Sequence, residues 1–275
     1  MNAFHAALAN AARPLVMGVV NVTPDSFFDG GQFETQQSAL DHALKLVSQG
    51  ADVLDIGGES TRPGADLVPV EQELERVIGL IVALRARTET PISIDTRKPE
   101  VARAAIAAGA DCWNDVSALT YSGDSVATAV ALQVPVILMH AKGNPKTMQQ
   151  GPDYRDVTGD VLNFLVSRIG QTVMAGLPID KILVDPGIGF GKTLDHNLTL
   201  MRDLGRIAAL GRPLLFGASR KSFIGKIDGS DARERLGGSL AAALWAADQG
   251  AAILRVHDVA ETVQALKVHA AIRDA

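Results

Sequence analysis

The feature that most constrains this chain is a unit that recurs along its length: a stretch with helical spacing, a glycine, then a short apolar run. Gly50-Ala51-Asp52 leads into residues 53–55, Gly109-Ala110-Asp111 into residues 112–115, and Gly250-Ala251-Ala252 into the last run. A glycine that closes a helix directly before a buried strand marks the seam between successive βα units. Eight apolar runs fit the strand role, at residues 15–20, 53–56, 92–94, 112–116, 134–139, 182–184, 214–216 and 253–256. Between them lie helical patterns. Thr35 is placed to cap a helix that carries Ala39, Leu40, Ala43, Leu44 and Val47 on one face and stops at Gly50. Leu74, Val77, Ile78, Ile81 and Leu84 repeat at helical spacing, and Pro99 opens a helix that runs to Gly109. Further helices fall at about residues 157–175, 197–209, 232–247 and 260–271.

Eight strands, each followed by a helix, predict an α/β protein: a closed (β/α)₈ TIM barrel in a single domain over residues 1–275, with 1–14 as an N-terminal extension. The 275 residues and 47% hydrophobic content suit one such barrel of ~250 residues. No Ser/Gly linker or charge run divides the chain. The alternative is an open doubly wound sheet, but residues 21–31 do not supply the Gly-x-Gly-x-x-Gly turn of its dinucleotide-binding form. A net charge of −5 gives no basic field for nucleic acid or an anionic membrane. No run nears the ~18 apolar residues a membrane span requires. The single cysteine, Cys112, sits in an apolar run and reads as buried. A cytoplasmic setting is expected.

In a barrel, chemistry belongs at the C-terminal strand ends. Read in order, these positions are Asn21, residues 55–62, Asp95, Asn114 and Asp115, His140, Asp185, residues 219–222, and Arg255 with His257. Carboxylates and amides match the edge of a flat heterocycle that presents adjacent N–H donors, because a carboxylate accepts a fork of two bonds. Lys221 adds a donor, and Arg255 with His257 beside a helix start favours a phosphate. The stretch L-V-D-P-G-I-G-F-G-K at residues 183–192 places Asp185 at a strand end. It then leaves glycines around Phe190, where a flat ligand can approach. A phosphate-binding loop is excluded at Gly191-Lys192-Thr193, since its first glycine falls on Pro186. Asp55 and Asp115 stay open between touching ligand and holding the barrel mouth.

These residues resemble a family. The motifs are M-G-V-V-N-V-T-P-D-S-F-F-D-G-G (17–31), D-I-G-G-E-S-T-R-P-G-A (55–65), S-I-D-T-R-K-P (93–99) and N-D-V-S-A-L (114–119). They continue with D-P-G-I-G-F-G-K (185–192), G-A-S-R-K-S-F-I-G (217–225) and R-V-H-D-V (255–259). In this order they resemble the dihydropteroate synthases over nearly the whole chain. The departure is H-A-K-G-N at 140–144, where that family more often reads like H-M-Q-G-T.

The resemblance implies a transferase of folate biosynthesis. It joins 6-hydroxymethyl-7,8-dihydropterin pyrophosphate to 4-aminobenzoate, and sulfonamides mimic the second substrate. By position, Asp95, Asn114, Asp185 and Lys221 would hold the pterin. Asn21, Arg255 and His257 would handle the pyrophosphate, with Mg²⁺ at Asn21. Phe27, Thr61, Arg62, Pro63, Phe190, Lys221 and Ser222 would shape the aminobenzoate pocket, and Met139 and Gly217 would also line substrate. Asp95, Arg62, Lys221 and Arg255 would stand nearest the chemistry, and a homodimer is implied. Three rivals differ in the residues they require. A methyltetrahydrofolate:corrinoid methyltransferase should lack the Ser-Thr-Arg-Pro and Ser-Arg-Lys-Ser stretches. A non-catalytic pterin-binding relative should have lost Asn21, Arg62 and Arg255. A Schiff-base aldolase would use Lys221, with Arg220 lowering its pKa.

Overall fold

The computed structural model describes residues 2–22, 32–62, 64–143, 148 and 151–275, with residues 32–35 as backbone only. In chain order the elements are α1 (Ala3–Ala9), β1 (Leu15–Asn21), α2 (Gln32–Ser48), β2 (Val53–Gly57), α3 (Val70–Arg85), β3 (Ile92–Asp95) and α4 (Pro99–Ala107). There follow β4 (Cys112–Asp115), α5 (Ser125–Leu132), β5 (Val136–Met139), α6 (Val157–Met174), β6 (Ile182–Asp185), α7 (Leu194–Arg202) and α8 (Leu204–Ala208). The chain ends with β7 (Leu214–Phe216), α9 (Ser222–Asp228), α10 (Leu236–Asp248), β8 (Ala251–Val256) and α11 (Val259–Arg273). The strands are parallel and close in sequential order, β8 pairing back onto β1. This is the expected (β/α)₈ barrel.

Strand alternation sorts most apolar strand residues into one of two cores. Val16, Val20, Leu54, Ile56, Ile92, Ile94, Trp113, Val136, Leu138, Ile182, Val184, Leu214, Phe216 and Leu254 face outward and pack against the helices. Leu15, Met17, Val53, Cys112, Ile137, Leu183, Leu215 and Ile253 form a separate inner cluster that fills the lower barrel. Phe4 of α1 belongs to that cluster and is fully buried. Asn2 caps α1 through bonds from the Phe4 and His5 amides, and its Nδ2 donates to Asp111 O at 2.8 Å. Residues 2–9 are therefore not a loose leader: they close the bottom of the barrel.

Differences from the sequence expectation have local causes. α2 begins at Gln32, so Thr35 lies within the helix rather than at its cap. α5 has no counterpart in the sequence pattern, because its buried face is Ser125, Thr128 and Ala129, small and polar residues that leave no apolar stripe. The segment expected as one helix at 197–209 is two, joined at Asp203. α7 starts earlier, at a reciprocal capping box between Thr193 and His196. His196 thus has a structural role. β5 starts at Val136, after Pro135, which has no N–H to donate to the ladder. Among the described residues no helix is long and apolar enough to cross a membrane.

Candidate active site

Two residues further up, the inward positions turn polar on most strands, with Met139 and Gly217 as the exceptions. Val53 is followed by Asp55, Cys112 by Asn114, Ile137 by Met139, Leu183 by Asp185, Leu215 by Gly217 and Ile253 by Arg255. On β3 the same position is Asp95, and on β1 Asn21 ends the strand. The register sets Asp95 beside Asn114, Met139 beside Asp185 and Asn21 beside Gly57. One inner layer therefore gathers Asp55, Asp95, Asn114, Asp185 and Arg255, all predicted from sequence as strand-end groups.

Arg255 ties this layer together. Its Nε donates to Asp55 Oδ2 at 2.6 Å and its Nη2 to Asp95 Oδ2 at 2.7 Å. Asn114 Nδ2 donates to Asp55 Oδ2 at 3.2 Å. Asp55 is fully buried, and these partners fix its role: it is the internal anchor for Asn114 and Arg255. Asp115 has a different role. It accepts from the Ser117 amide and hydroxyl and the Leu119 amide, holding a turn in which Ala118 and Leu119 have φ of 52° and 61°. Arg168 of α6 satisfies the carbonyls of that turn.

Burial raises the Asp95 carboxyl to about 7; Arg255 opposes the shift, and Asp55, Glu73 and Asp115 add to it. Burial also raises Asp185, against the pull of Lys221 and the Gly187 amide. Burial alone would lower Arg255, but Asp55 and Asp95 outweigh it and its net shift is upward. His257 is pushed down to about 4, first by burial and then by Arg255, Arg220 and Arg62. It is a neutral imidazole near pH 7, its Nδ1 3.1 Å from the Ser219 hydroxyl.

Two loops bring in the remaining groups. Arg220 has a φ of 57°, sparsely populated for a residue with a Cβ, and three partners hold it there. Its amide donates to Ser239 Oγ, its Nε to Asp258 Oδ2 at 2.9 Å, and its carbonyl accepts from Arg235. The turn presents Lys221, whose Nζ donates to Ile188 O and lies 4.6 Å from the centre of the Phe190 ring. Burial lowers Lys221 to about 8, Asp185 raises it in part, and Arg255 lowers it further. The cation that depresses Lys221 is thus Arg255; Arg220 is engaged with Asp258. Ser222 is exposed at the start of α9, and Gly217 leaves room for the Arg255 stem, 3.6 Å from where a Cβ would stand.

The loop after β6 is packed directly on the end of β5. Gly187 has a φ of +67°, and a Cβ there would fall 1.9 Å from His140 O, so only glycine fits. Lys192 sets the loop's shape. Its buried Nζ contacts Gly187 O at 2.8 Å, Phe190 O at 3.0 Å, and His140 Nδ1 at 3.0 Å. Lys192, whose spacing excludes a phosphate loop, instead holds the loop that carries Phe190. Thr61 is half-buried and Arg62 exposed at the rim. Phe27 and Pro63 lie outside the described residues, as does Asn144 of the divergent 140–144 stretch.

A family model described as "Pterin binding enzyme" matches residues 17–257. The dihydropteroate synthase of Escherichia coli (strain K12) is 48% identical over 257 residues, covering 94% of this chain and 91% of that enzyme. The Xanthomonas albilineans dihydropteroate synthase, solved with 4-aminobenzoic acid, superposes with a TM-score of 0.91 at 51% identity, covering 96% of this chain and 94% of that one. The Yersinia pestis enzyme, solved in a sulfonamide drug complex, gives a TM-score of 0.91 at 45% identity, covering 96% of both chains. The chain belongs to the pterin-binding enzymes, and within them to the dihydropteroate synthase family.

Proposed function

We infer that the chain joins 6-hydroxymethyl-7,8-dihydropterin pyrophosphate to 4-aminobenzoate, giving 7,8-dihydropteroate and pyrophosphate. The observation that carries this reading is the single inner layer of Asp95, Asn114 and Asp185 at the ends of β3, β4 and β6, with Lys221 reaching in from the loop after β7. A pterin edge offers ring and amino N–H donors, and these acceptors suit it. Lys221 stands where the two substrates would meet: its charge interacts with Asp185 on the pterin side and its Nζ lies over Phe190 on the aminobenzoate side.

In the reaction, the C–O bond to pyrophosphate breaks and the bonding pair leaves with the anion. The amine nitrogen bonds to the methylene carbon and gives up its proton to solvent. Positive charge that builds on the methylene spreads into the pterin, where Asp95 and Asp185 favour it. The aromatic amine is nucleophilic when neutral, so no protein nucleophile is required. Arg255, with Arg62 at the rim and neutral His257 as a hydrogen-bonding group, would receive the pyrophosphate. The described residues contain no cluster of three metal-ligating side chains. Asn21 supplies one neutral oxygen, which fits a Mg²⁺ carried mainly by phosphate oxygens rather than by a protein cage. Bound there, Mg²⁺ would neutralise the leaving anion. We further propose that Thr61, Arg62, Phe27, Pro63, Phe190 and Ser222 form the aminobenzoate and sulfonamide pocket, and that the chain works as a cytoplasmic homodimer. Sedimentation of the purified chain tests the dimer.

The test of function is incubation with both substrates and Mg²⁺. Pyrophosphate and dihydropteroate are expected in equal amounts; pterin binding without product would instead support a non-catalytic relative.

A further inference from the structure

Beneath the loop that carries Thr61 and Arg62 lies a buried charge network that the reaction does not use. Glu59, two residues before Thr61, has a side chain only 4% exposed. Its Oε1 accepts from Arg97 Nη2 at 2.9 Å and from the Val68 amide at 3.1 Å. Its Oε2 accepts from Lys98 Nζ at 2.7 Å. Lys98 also donates to Glu73 of α3, which is fully buried. Two carboxylates and two cations thus balance within the cluster. One carboxylate joins both ends of the loop, position 59 to position 68. A second tie supports the first: Arg76 Nη1 donates to Gly58 O at 2.7 Å. At Gly58 a Cβ would fall 2.8 Å from Val77 and 2.9 Å from Glu73, so α3 packs against bare backbone.

The cations Arg97 and Lys98 come from the loop after β3, two and three residues beyond Asp95. The same network therefore touches both halves of the site. It fixes the base of the loop assigned to aminobenzoate and grips the segment that follows the pterin carboxylate. Glu73 also adds to the field that raises Asp95.

We propose that Glu59 is a positioning residue for the second substrate: by bridging Arg97, Lys98 and the Val68 amide, it holds the Thr61–Arg62 rim in the shape that receives an aryl carboxylate. The proposal rests on the functional reading above and deepens it. Arg97 and Lys98 lie outside the set assigned to substrate, and Glu59 acts only through the loop.

The test is steady-state kinetics of Glu59→Gln and Arg97→Gln, with hydrogen exchange on residues 58–69. Glu59→Gln should raise the KM for 4-aminobenzoate about tenfold or more and leave the KM for the pterin pyrophosphate within twofold. Arg97→Gln should shift the same KM in the same direction by less, since Lys98 still holds Glu59. It removes a partly exposed group and so guards against a Glu59 variant that fails to fold. Exchange on residues 58–69 should quicken in both variants, while residues 112–119 keep wild-type protection. In the double variant the two effects on the aminobenzoate KM should not add. Equal changes in both KM values, or faster exchange with neither KM changed, would overturn the proposal. If the wild-type chain itself forms no dihydropteroate, the functional reading fails. The exchange comparison, repeated with and without 4-aminobenzoate and pyrophosphate, then still decides whether Glu59 holds the loop.

Discussion

At the bottom of the barrel the inner wall is hydrocarbon: Met17, Val53, Cys112, Ile137, Leu183, Leu215 and Ile253, plugged by Phe4. Two residues up the same strands it becomes Asp55, Asn114, Asp185 and Arg255. Both layers are largely buried, and their energetics differ in kind. The lower layer gains from removing apolar surface from water, at roughly 25 cal/mol per Å². The upper layer desolvates charges, which alone costs several kcal/mol per ion and is offset only where partners are well placed. The strands hold both layers in one register, so the stable lower half supports an upper half that is poorly built for stability and well built for a polar ligand.

If that division is right, substitutions at the two ends should separate stability from affinity. The largest effect is expected from Phe4→Ala. Emptying a fully buried aromatic site should cost about 3–5 kcal/mol in denaturant unfolding, with the pterin dissociation constant unchanged in the protein that remains folded. A small loss would show that the first ten residues are an appendage after all. Next comes Asp185→Asn. Loss of a charged acceptor should weaken pterin binding by roughly 1.5–3 kcal/mol in calorimetry, with the melting temperature not lowered, since the replacement removes a buried charge.

A third effect depends on pH and sharpens the contrast within the upper layer. Burial raises Asp95 to about 7, against an ordinary value of 3.8. The folded protein therefore holds a proton that the unfolded chain has already lost, and the contribution of this group to stability falls as pH rises from about 4 to 7. Pterin donors need the ionised carboxylate. Affinity for 6-hydroxymethylpterin should therefore rise with pH through 7, and weaken by up to about tenfold per unit below it. Asp95→Asn should flatten this profile. The smallest effect is expected at Tyr154, whose hydroxyl donates to Gly191 O at 2.9 Å. Tyr154→Phe should cost about 1 kcal/mol of stability and shift the sulfonamide dissociation constant by a few-fold at most, because Lys192 still holds the loop.

The contrast also explains what the sequence made legible. The recurring apolar runs, several preceded by a helix-closing glycine, are enough for the barrel, and the strand-end rule is enough for Asp95, Asn114, Asp185 and Arg255. What stayed hidden depends on contacts far apart in the chain. Nothing near Asp55 shows that Arg255, two hundred residues away, pairs with it. Spacing excludes a phosphate loop at Lys192 but gives it no role, because a short motif cannot show that its partners are the Gly187 and Phe190 carbonyls and His140. Glu59 stood inside a motif already assigned to substrate, and only the fold shows that its carboxylate turns inward to Arg97 and Lys98. α5 has no counterpart in the sequence pattern because its buried side is serine, threonine and alanine.

The central claim, that the upper strand-end layer is the pterin-binding and reacting site while the lower layer supplies stability, is tested most directly on wild type and Asp185→Asn side by side. The measurement is formation of 7,8-dihydropteroate and pyrophosphate from both substrates with Mg²⁺, alongside thermal unfolding. The claim predicts equimolar products from wild type, a large loss of turnover in the variant, and a melting temperature no lower than wild type. Wild-type turnover in the Asp185→Asn variant, or a loss of turnover fully accounted for by unfolding, would contradict it.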